Sequence, residues 1–235
     1  MKLSVIVPAW NEAGTIAEVV RRLRAVERPD LAFEILVVDD GSTDATAAAA
    51  ASIVPAVTLL RHAENRGKGA AIRTALARAT GDAVIVQDAD LEYDPADLAR
   101  IAARLSEGSS VVYGSRILGG NPRSYRRYYW GGRLLTAAFN LLYGTRLTDV
   151  TTCYKAFARE ALAGAPLESR RFEFCAEVTA LMALRGERIV EIPIAYHPRS
   201  MEEGKKIRWH DGLTALWMML RLRLGGGRPG RAVLA

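Results

Sequence analysis

Short apolar runs alternate with helix-spaced apolar positions through the first half of the chain. Leu3 to Val7 reads as a buried strand, ended by Pro8, which has no N–H to give to a ladder. Ile16, Val19, Val20 and Leu23 then recur at helical spacing. Glu34 to Val38 is a second strand with Asp39-Asp40-Gly41-Ser42 as its turn, and Thr43 to Ser52 is an alanine-rich helix. Val57 to Leu60 reads as a third strand, and Ala70 to Ala79 as a helix with Ile72 and Leu76 inward. Ala83 to Val86 is a fourth strand and Ser110 to Tyr113 a fifth. Between them a helix over Pro95 to Leu105 opens with proline in its first turn, where the missing N–H is harmless.

Strands alternating with helices predict an α/β fold: a Rossmann-like, mostly parallel sheet flanked by helices. In such sheets ligands bind outside the carboxyl ends of the strands. The second half is less regular. Gly114 to Gly132 reads as a long loop rich in Gly, Arg and Tyr, followed by helices over Arg133 to Tyr143 and Phe174 to Leu184. A strand over Arg188 to Ile192 and a C-terminal amphipathic helix over Ile207 to Leu224 complete the pattern. The expected organisation is a single domain over 1–224 with a flexible glycine-rich tail over 225–235.

Composition narrows the picture little. The 235 residues are 50% hydrophobic and 25% charged, as a folded chain with one core requires. The net charge of +6 suits an anionic ligand, an anionic lipid surface or nucleic acid alike. Cys153 and Cys175 stand far apart with no CxxC, against a zinc site or a disulfide framework and for a reducing compartment. No apolar stretch is long enough for a signal peptide core or a membrane span, so a cytoplasmic protein is expected.

The candidate chemistry lies at the predicted strand ends. After the fourth strand comes Gln87-Asp88-Ala89-Asp90-Leu91-Glu92. In extended backbone Asp88, Asp90 and Glu92 point to one side, and three converging carboxylates call for a cation between them. Oxygen ligands suit Mg²⁺ or Mn²⁺. The plain alternative is a solvated acidic loop, with Asp94 capping the helix that follows. After the second strand, Asp40 is placed to accept from a base or ribose, or simply to make a turn. After the first strand, Trp10 offers a stacking surface and Glu12 a brace for the loop. Asn65-Arg66-Gly67-Lys68-Gly69 ahead of a helix reads as a phosphate cradle that includes Lys68. Arg116, Arg133 and Arg199, with Lys205 and Lys206, are cations suited to phosphate.

The succession VIVPAWNE, EILVVDDGSTD, NRGKGAAIRTA, QDADLEYDP, GSR, DVTTCYKAF and PRSMEEGKK resembles the family 2 glycosyltransferases of the GT-A fold. Their dolichol- and polyprenol-phosphate mannosyl- and glucosyltransferase branch stands nearest. The resemblance implies that Pro8, Trp10, Glu12 and Asp40 hold the nucleoside, and Asp88, Ala89 and Asp90 the ribose, diphosphate and metal. Glu92 stands where that branch often has a glutamine metal ligand. Arg116 would bind phosphate at the reaction centre, with Asp90 as the other catalytic residue. Arg133, Arg199 and Lys205 or Lys206 would grip the acceptor phosphate or the donor diphosphate. Gly204-Lys205-Lys206-Ile207 departs from the branch's G-x-S-K, which leaves the lysine register open.

The implied reaction is inverting transfer of a hexose from a GDP-mannose or UDP-glucose type donor to a dolichyl or undecaprenyl monophosphate. Alternatives are a hydroxyl acceptor, with Glu173 or Glu177 as base, and a nucleotide-sugar-binding regulator without turnover. Missing glycine triads argue against a nicotinamide enzyme, and missing recognition motifs against nucleic acid. The last helix carries Leu213, Leu216, Trp217, Leu220 and Leu224 on one side, for peripheral membrane contact or for packing on the sheet.

Overall fold

The structure, a computed structural model, describes residues 1–53, 55–121, 126–199 and 209–225, and only the backbone of Arg126, Arg127 and Trp209. The apolar runs of the first half form β1 (Lys2–Ala9), β2 (Ala32–Asp39), β3 (Thr58–Arg61) and β4 (Ala83–Val86). The helices between them are α1 (Ile16–Val26), α2 (Thr46–Ser52) and α3 (Lys68–Leu76). A 3₁₀ turn over Pro95–Asp97 leads into α4 (Leu98–Ser106) and then β5 (Val111–Ser115). Asp94 caps that turn as expected, accepting from Ala96 N–H at 3.0 Å. The second half supplies α5 (Arg126–Tyr143), β6 (Lys155–Ala158), α6 (Arg159–Leu162), α7 (Phe174–Leu184), β7 (Ile189–Pro193) and α8 (Trp209–Leu224).

The seven strands form one sheet in the order β3-β2-β1-β4-β6-β5-β7. It is mixed: β6, absent from the sequence pattern, lies antiparallel to both β4 and β5. All the other pairings are parallel. Strand β1 also runs through Pro8, which pairs with Val38, to Ala9. Carbonyls alternate sides along a strand: Ile6 accepts from Gln87 N–H beyond β4, and Ala9 from Asp40 N–H on the β2 side. Pro8 therefore turns its nitrogen toward β4, past the Ile6–Val86 pair where that ladder ends, so no hydrogen bond is lost.

Period-two alternation divides the core between the faces of the sheet. Val5 and Val7 meet Ile16, Leu23, Leu98 and Ile101 of α1 and α4 on one side. Ile6 and Val86 meet Ile72, Ala75, Val178 and Met182 of α3 and α7 on the other. A third cluster joins Phe139 of α5, Ala176 and Ala180 of α7, and Ala215 and Met219 of α8. The last helix thus packs by one side while Leu213, Trp217 and Leu224 stay exposed on the other.

Strand β6 opens on a lysine that is only 1% exposed. Lys155 Nζ donates to Val150 O at 2.9 Å and stands 3.7 Å from the Tyr113 ring centroid. Burial lowers its pKa to about 8. Between that value and about 10.5 the unfolded chain binds more protons than the folded one, so stability rises with pH across this window. Urea unfolding at pH 7.5 and pH 9.5 is expected to show that rise in the parent, and Lys155→Met should flatten it. Equal slopes in both proteins would place the proton elsewhere.

Candidate active site at the carboxyl edge

The ends of β1, β2, β4 and β5 bring the predicted motifs to one edge. After β4 the chain turns at once. Leu91 has a φ of 61°, the left-handed region that side chains seldom occupy outside functional turns. The alternation assumed for extended backbone therefore fails, and Glu92 leaves the expected metal set. Its carboxylate accepts from Tyr196 Oη at 2.7 Å and from Arg199 N–H at 2.8 Å, so it anchors the segment after β7. Among the described residues no group of three or more His, Cys, Asp or Glu side chains is placed to hold a metal ion. The acidic site is a pair, Asp88 and Asp90.

The two aspartates differ in their surroundings. Asp88 accepts from Lys68 Nζ, which also donates to Cys153 Sγ at 3.0 Å. Burial works to raise the pKa of Asp88, but the Lys68 charge prevails and the net shift is downward. Asp90 is pushed up to about 7 by burial and by the charges of Asp88 and Glu92, against the pull of Arg199. An oxygen cluster short of positive charge suits a divalent cation of the Mg²⁺ type, which one or two carboxylates hold together with substrate phosphates.

Arg199 crosses this cluster. Its Nη2 donates to Asp90 Oδ2 at 2.9 Å, and its two terminal nitrogens reach Glu12 at 3.3 Å each. Its Nε is buried without a hydrogen-bond partner. Glu12 braces the loop after β1, as expected: its carbonyl accepts from Thr15 and Ile16 N–H at 3.1 Å, starting α1. Trp10, just past β1, is 37% exposed at this edge, and Ala89 is buried.

Asp40 and the glycine-rich segment are bound to each other. Asp40 is 3% exposed. Its carboxylate accepts from Arg66 N–H at 3.0 Å and Gly67 N–H at 2.8 Å, and lies 2.6 Å from His62 Nδ1. It therefore holds the loop leading into α3. That helix start does not stand open as a phosphate cradle. Ala70 N–H donates to Arg170 O at 3.1 Å. A Cβ at Gly67, whose φ is +93°, would lie 2.3 Å from the same carbonyl. The glycines admit protein backbone where a phosphate was expected.

A cationic zone faces the aspartates from the end of β5. Arg116 forks onto Asp149, with Nε to Oδ2 at 2.7 Å and Nη2 to Oδ1 at 2.8 Å, and donates to Thr151 Oγ1 at 2.7 Å. Its guanidinium lies 5.2 Å from the centroid of the Tyr196 ring. Arg133, exposed on α5, donates to Thr148 O at 3.3 Å, beside the same turn. Lys205 and Lys206 lie outside the described residues. Glu177 accepts from Glu168 N–H at 2.7 Å and from Ser169 N–H, and Glu173 from Arg170 and Arg171 N–H. Both carboxylates brace backbone.

Residues 4–164 match a family model described as "Glycosyl transferase family 2". The chain belongs to glycosyl transferase family 2. It is a glycosyltransferase, and its relatives agree. Undecaprenyl-phosphate mannosyltransferase of Micrococcus luteus is 32% identical over 96% of this chain and 100% of its own. Dolichol-phosphate mannosyltransferase of Pyrococcus furiosus is 29% identical over 87% of this chain and 59% of its own. The fold is that of glucosyl-3-phosphoglycerate synthase from Mycobacterium tuberculosis, solved with Mn²⁺, UDP and glucosyl-3-phosphoglycerate. That match has a TM-score of 0.72 and 22% identity, and covers 95% of this chain and 80% of the other.

In this glycosyltransferase, Asp149, Thr151 and Tyr196 belong to the site without having been singled out by sequence. Asp149 and Thr151 lie in the DVTTCYKAF motif, which carried the family resemblance without a role for either residue. Cys153 and Cys175, remote in sequence, come together near Lys68, and the neighbouring Cys153 thiol holds the pKa of Cys175 below the usual thiol value.

Proposed function

We propose that this glycosyltransferase moves a hexose from a nucleotide-sugar, of the GDP-mannose or UDP-glucose type, to a polyprenyl monophosphate. The observation that carries this reading is the pairing of two zones on one edge. Asp88 and Asp90 stand at the end of β4, Arg116 at the end of β5, and Arg133 on α5 beside the Thr148 turn. A hydroxyl acceptor needs a base, and the carboxylates that sequence offered for it, Glu173 and Glu177, are engaged by backbone N–H groups. A phosphate monoester, with a second pKa near ~6, is already an anion at neutral pH. The names of the Micrococcus and Pyrococcus relatives support the same acceptor class.

Asp88 and Asp90 would hold Mg²⁺ or Mn²⁺, whose charge offsets that of the departing nucleoside diphosphate. Lys68 keeps Asp88 ionised for that purpose. Trp10 is the stacking surface for the base, with Pro8, Glu12, Asp40 and Ala89 shaping the pocket around the nucleoside. Arg116, oriented by Asp149, and Arg133 receive the acceptor phosphate. The acceptor oxygen attacks the anomeric carbon and the bond to the diphosphate breaks, so configuration inverts. Arg199 links Asp90 to Glu12 on the aspartate side, and positioning with charge neutralisation supplies the acceleration.

Turnover of a donor panel (GDP-mannose, UDP-glucose, GDP-glucose and UDP-galactose) tests this, with farnesyl phosphate or a sugar alcohol as acceptor. One donor is expected to turn over with farnesyl phosphate at least tenfold faster than with the alcohol. Preference for the alcohol would reverse the acceptor class, and no consumption of any donor would remove the reading.

A further inference from the structure

A buried ammonium that takes no part in binding or attack stands next to the turn that carries Asp149 and Thr151. Lys155 is 1% exposed. Its Nζ meets a carbonyl and a ring face rather than a carboxylate: Val150 O at 2.9 Å, and Tyr113 with its centroid 3.7 Å away. Burial holds its pKa down to about 8, and the surrounding Cys175, Asp149, Cys153 and Glu191 do not offset that burial. A charge sequestered without a close counter-charge lowers stability, and a methionine in its place would escape that cost. Strongly shifted groups of this kind concentrate at functional sites.

What Lys155 grips is the turn that joins the two halves of the site. Residues 144–154, between α5 and β6, belong to no helix or strand. Side chains, in place of a ladder, hold their N–H groups. Glu191 of β7 takes those of Thr148 and Asp149 at 2.7 and 3.0 Å. Thr136 Oγ1 takes that of Val150 at 3.2 Å, and Tyr93 Oη that of Cys153 at 3.0 Å. On one arm of the turn, Asp149 and Thr151 orient Arg116. On the other, Cys153 Sγ accepts from Lys68 Nζ at 3.0 Å, the same nitrogen that donates to Asp88. Lys155 is tied to both arms. Its Nζ holds Val150 O beside Asp149, and its backbone N–H donates to Cys153 O at 2.8 Å. The backbone bond survives a substitution, whereas the bond to Val150 needs the side chain.

We propose that Lys155 is a positioning residue for glycosyl transfer: by holding the Val150 carbonyl, it sets the turn that fixes Arg116 and the Lys68–Asp88 pair relative to each other. A misplacement of about 1 Å at a reacting centre can cost about a hundredfold in rate. A turn free to shift at Val150 moves Arg116 against Asp88 without removing either. That Arg116 meets an acceptor phosphate rests on the polyprenyl-phosphate reading; the coupling of the two arms does not.

The test compares Lys155→Met and Lys155→Gln with the parent at pH 7.5, in transfer and in urea unfolding of the full chain. Methionine fills the space without a donor, and glutamine keeps an N–H for Val150. Lys155→Met is expected to lose at least tenfold in kcat. Its KM for donor and acceptor should stay within about threefold, because Arg116 and Asp88 keep their own partners. Its urea midpoint should not fall below the parent's. Lys155→Gln should lie between the two, at least threefold below the parent, and it still reads the loss if Lys155→Met does not fold. Farnesyl phosphate is the acceptor, or the sugar alcohol if the parent prefers it, so failure of the acceptor reading leaves this test intact. Parental kcat in either variant overturns the positioning role while leaving that reading in place. The role is also overturned if the loss lies in KM alone, or if both variants lose rate only as far as they lose stability.

Discussion

Asp90→Ala is expected to reduce sugar transfer about a thousandfold while leaving Tm within about two degrees of the parent. A thousandfold corresponds to about 4 kcal/mol of transition-state stabilisation, the size of effect seen when one preorganised electrostatic group is removed. The fold should survive because Asp90 is held against its neighbours' charge. Burial, Asp88 and Glu92 push its pKa to about 7, and Arg199 keeps Glu12 as a partner when Asp90 is gone. In the parent, excess chelator should stop transfer and added Mn²⁺ should restore it. Steady-state kcat/KM over a Mn²⁺ titration, with thermal melts of both proteins, reads all of this. A loss below tenfold, or full parental activity in chelator, would place the chemistry away from the aspartate pair.

The largest stability effect should come from a residue on the other side of the cleft. Asp149→Ala is expected to destabilise the protein by about 3–5 kcal/mol, because it leaves the Arg116 guanidinium largely buried without its counter-charge. Arg116 gives Asp149 its fork and its own backbone N–H, the last at 3.1 Å, so three hydrogen bonds go together. Combining Arg116→Met with Asp149→Leu removes both charges and should recover most of the stability, since apolar replacement of a buried pair is often neutral. Transfer to prenyl phosphate should stay at least tenfold down in both variants. Urea unfolding separates the two effects. A double variant as active as the parent would show that this ion pair is structural only.

Much of this was legible in the chain because periodicity reports burial directly. The first five strands and the helices between them follow from apolar spacing, and parallel crossovers put their polar turns on one edge. What stayed hidden depends on partners distant in sequence. Lys155-Ala156-Phe157-Ala158 is too short and begins too polar to read as a strand, until β4 and β5 are known to flank it. Asp149 has no meaning without Arg116, 33 residues earlier. In Asn65 to Gly69, glycines that admit a phosphate and glycines that admit the backbone of Arg170 look alike. The acidic motif misled by one dihedral: the turn at Leu91 sends Glu92 to Tyr196 and leaves two carboxylates where three were expected.

The antiparallel placement of β6 governs the order in which the chain can assemble. As the polypeptide leaves the ribosome, β3, β2, β1 and β4 can join into a four-stranded parallel sheet with α1 and α3 packed on it. Strand β5 follows but finds no neighbour, because the strand that links it to β4 is made roughly forty residues later. Until then the outer edge of β4, four buried apolar residues, has open hydrogen-bonding groups. The Asp88–Asp90 side of the cleft is thus outlined before the Arg116 side can be fixed. The nascent chain carries an unpaired sheet edge through that interval, and the arrival of Lys155–Ala158 closes it.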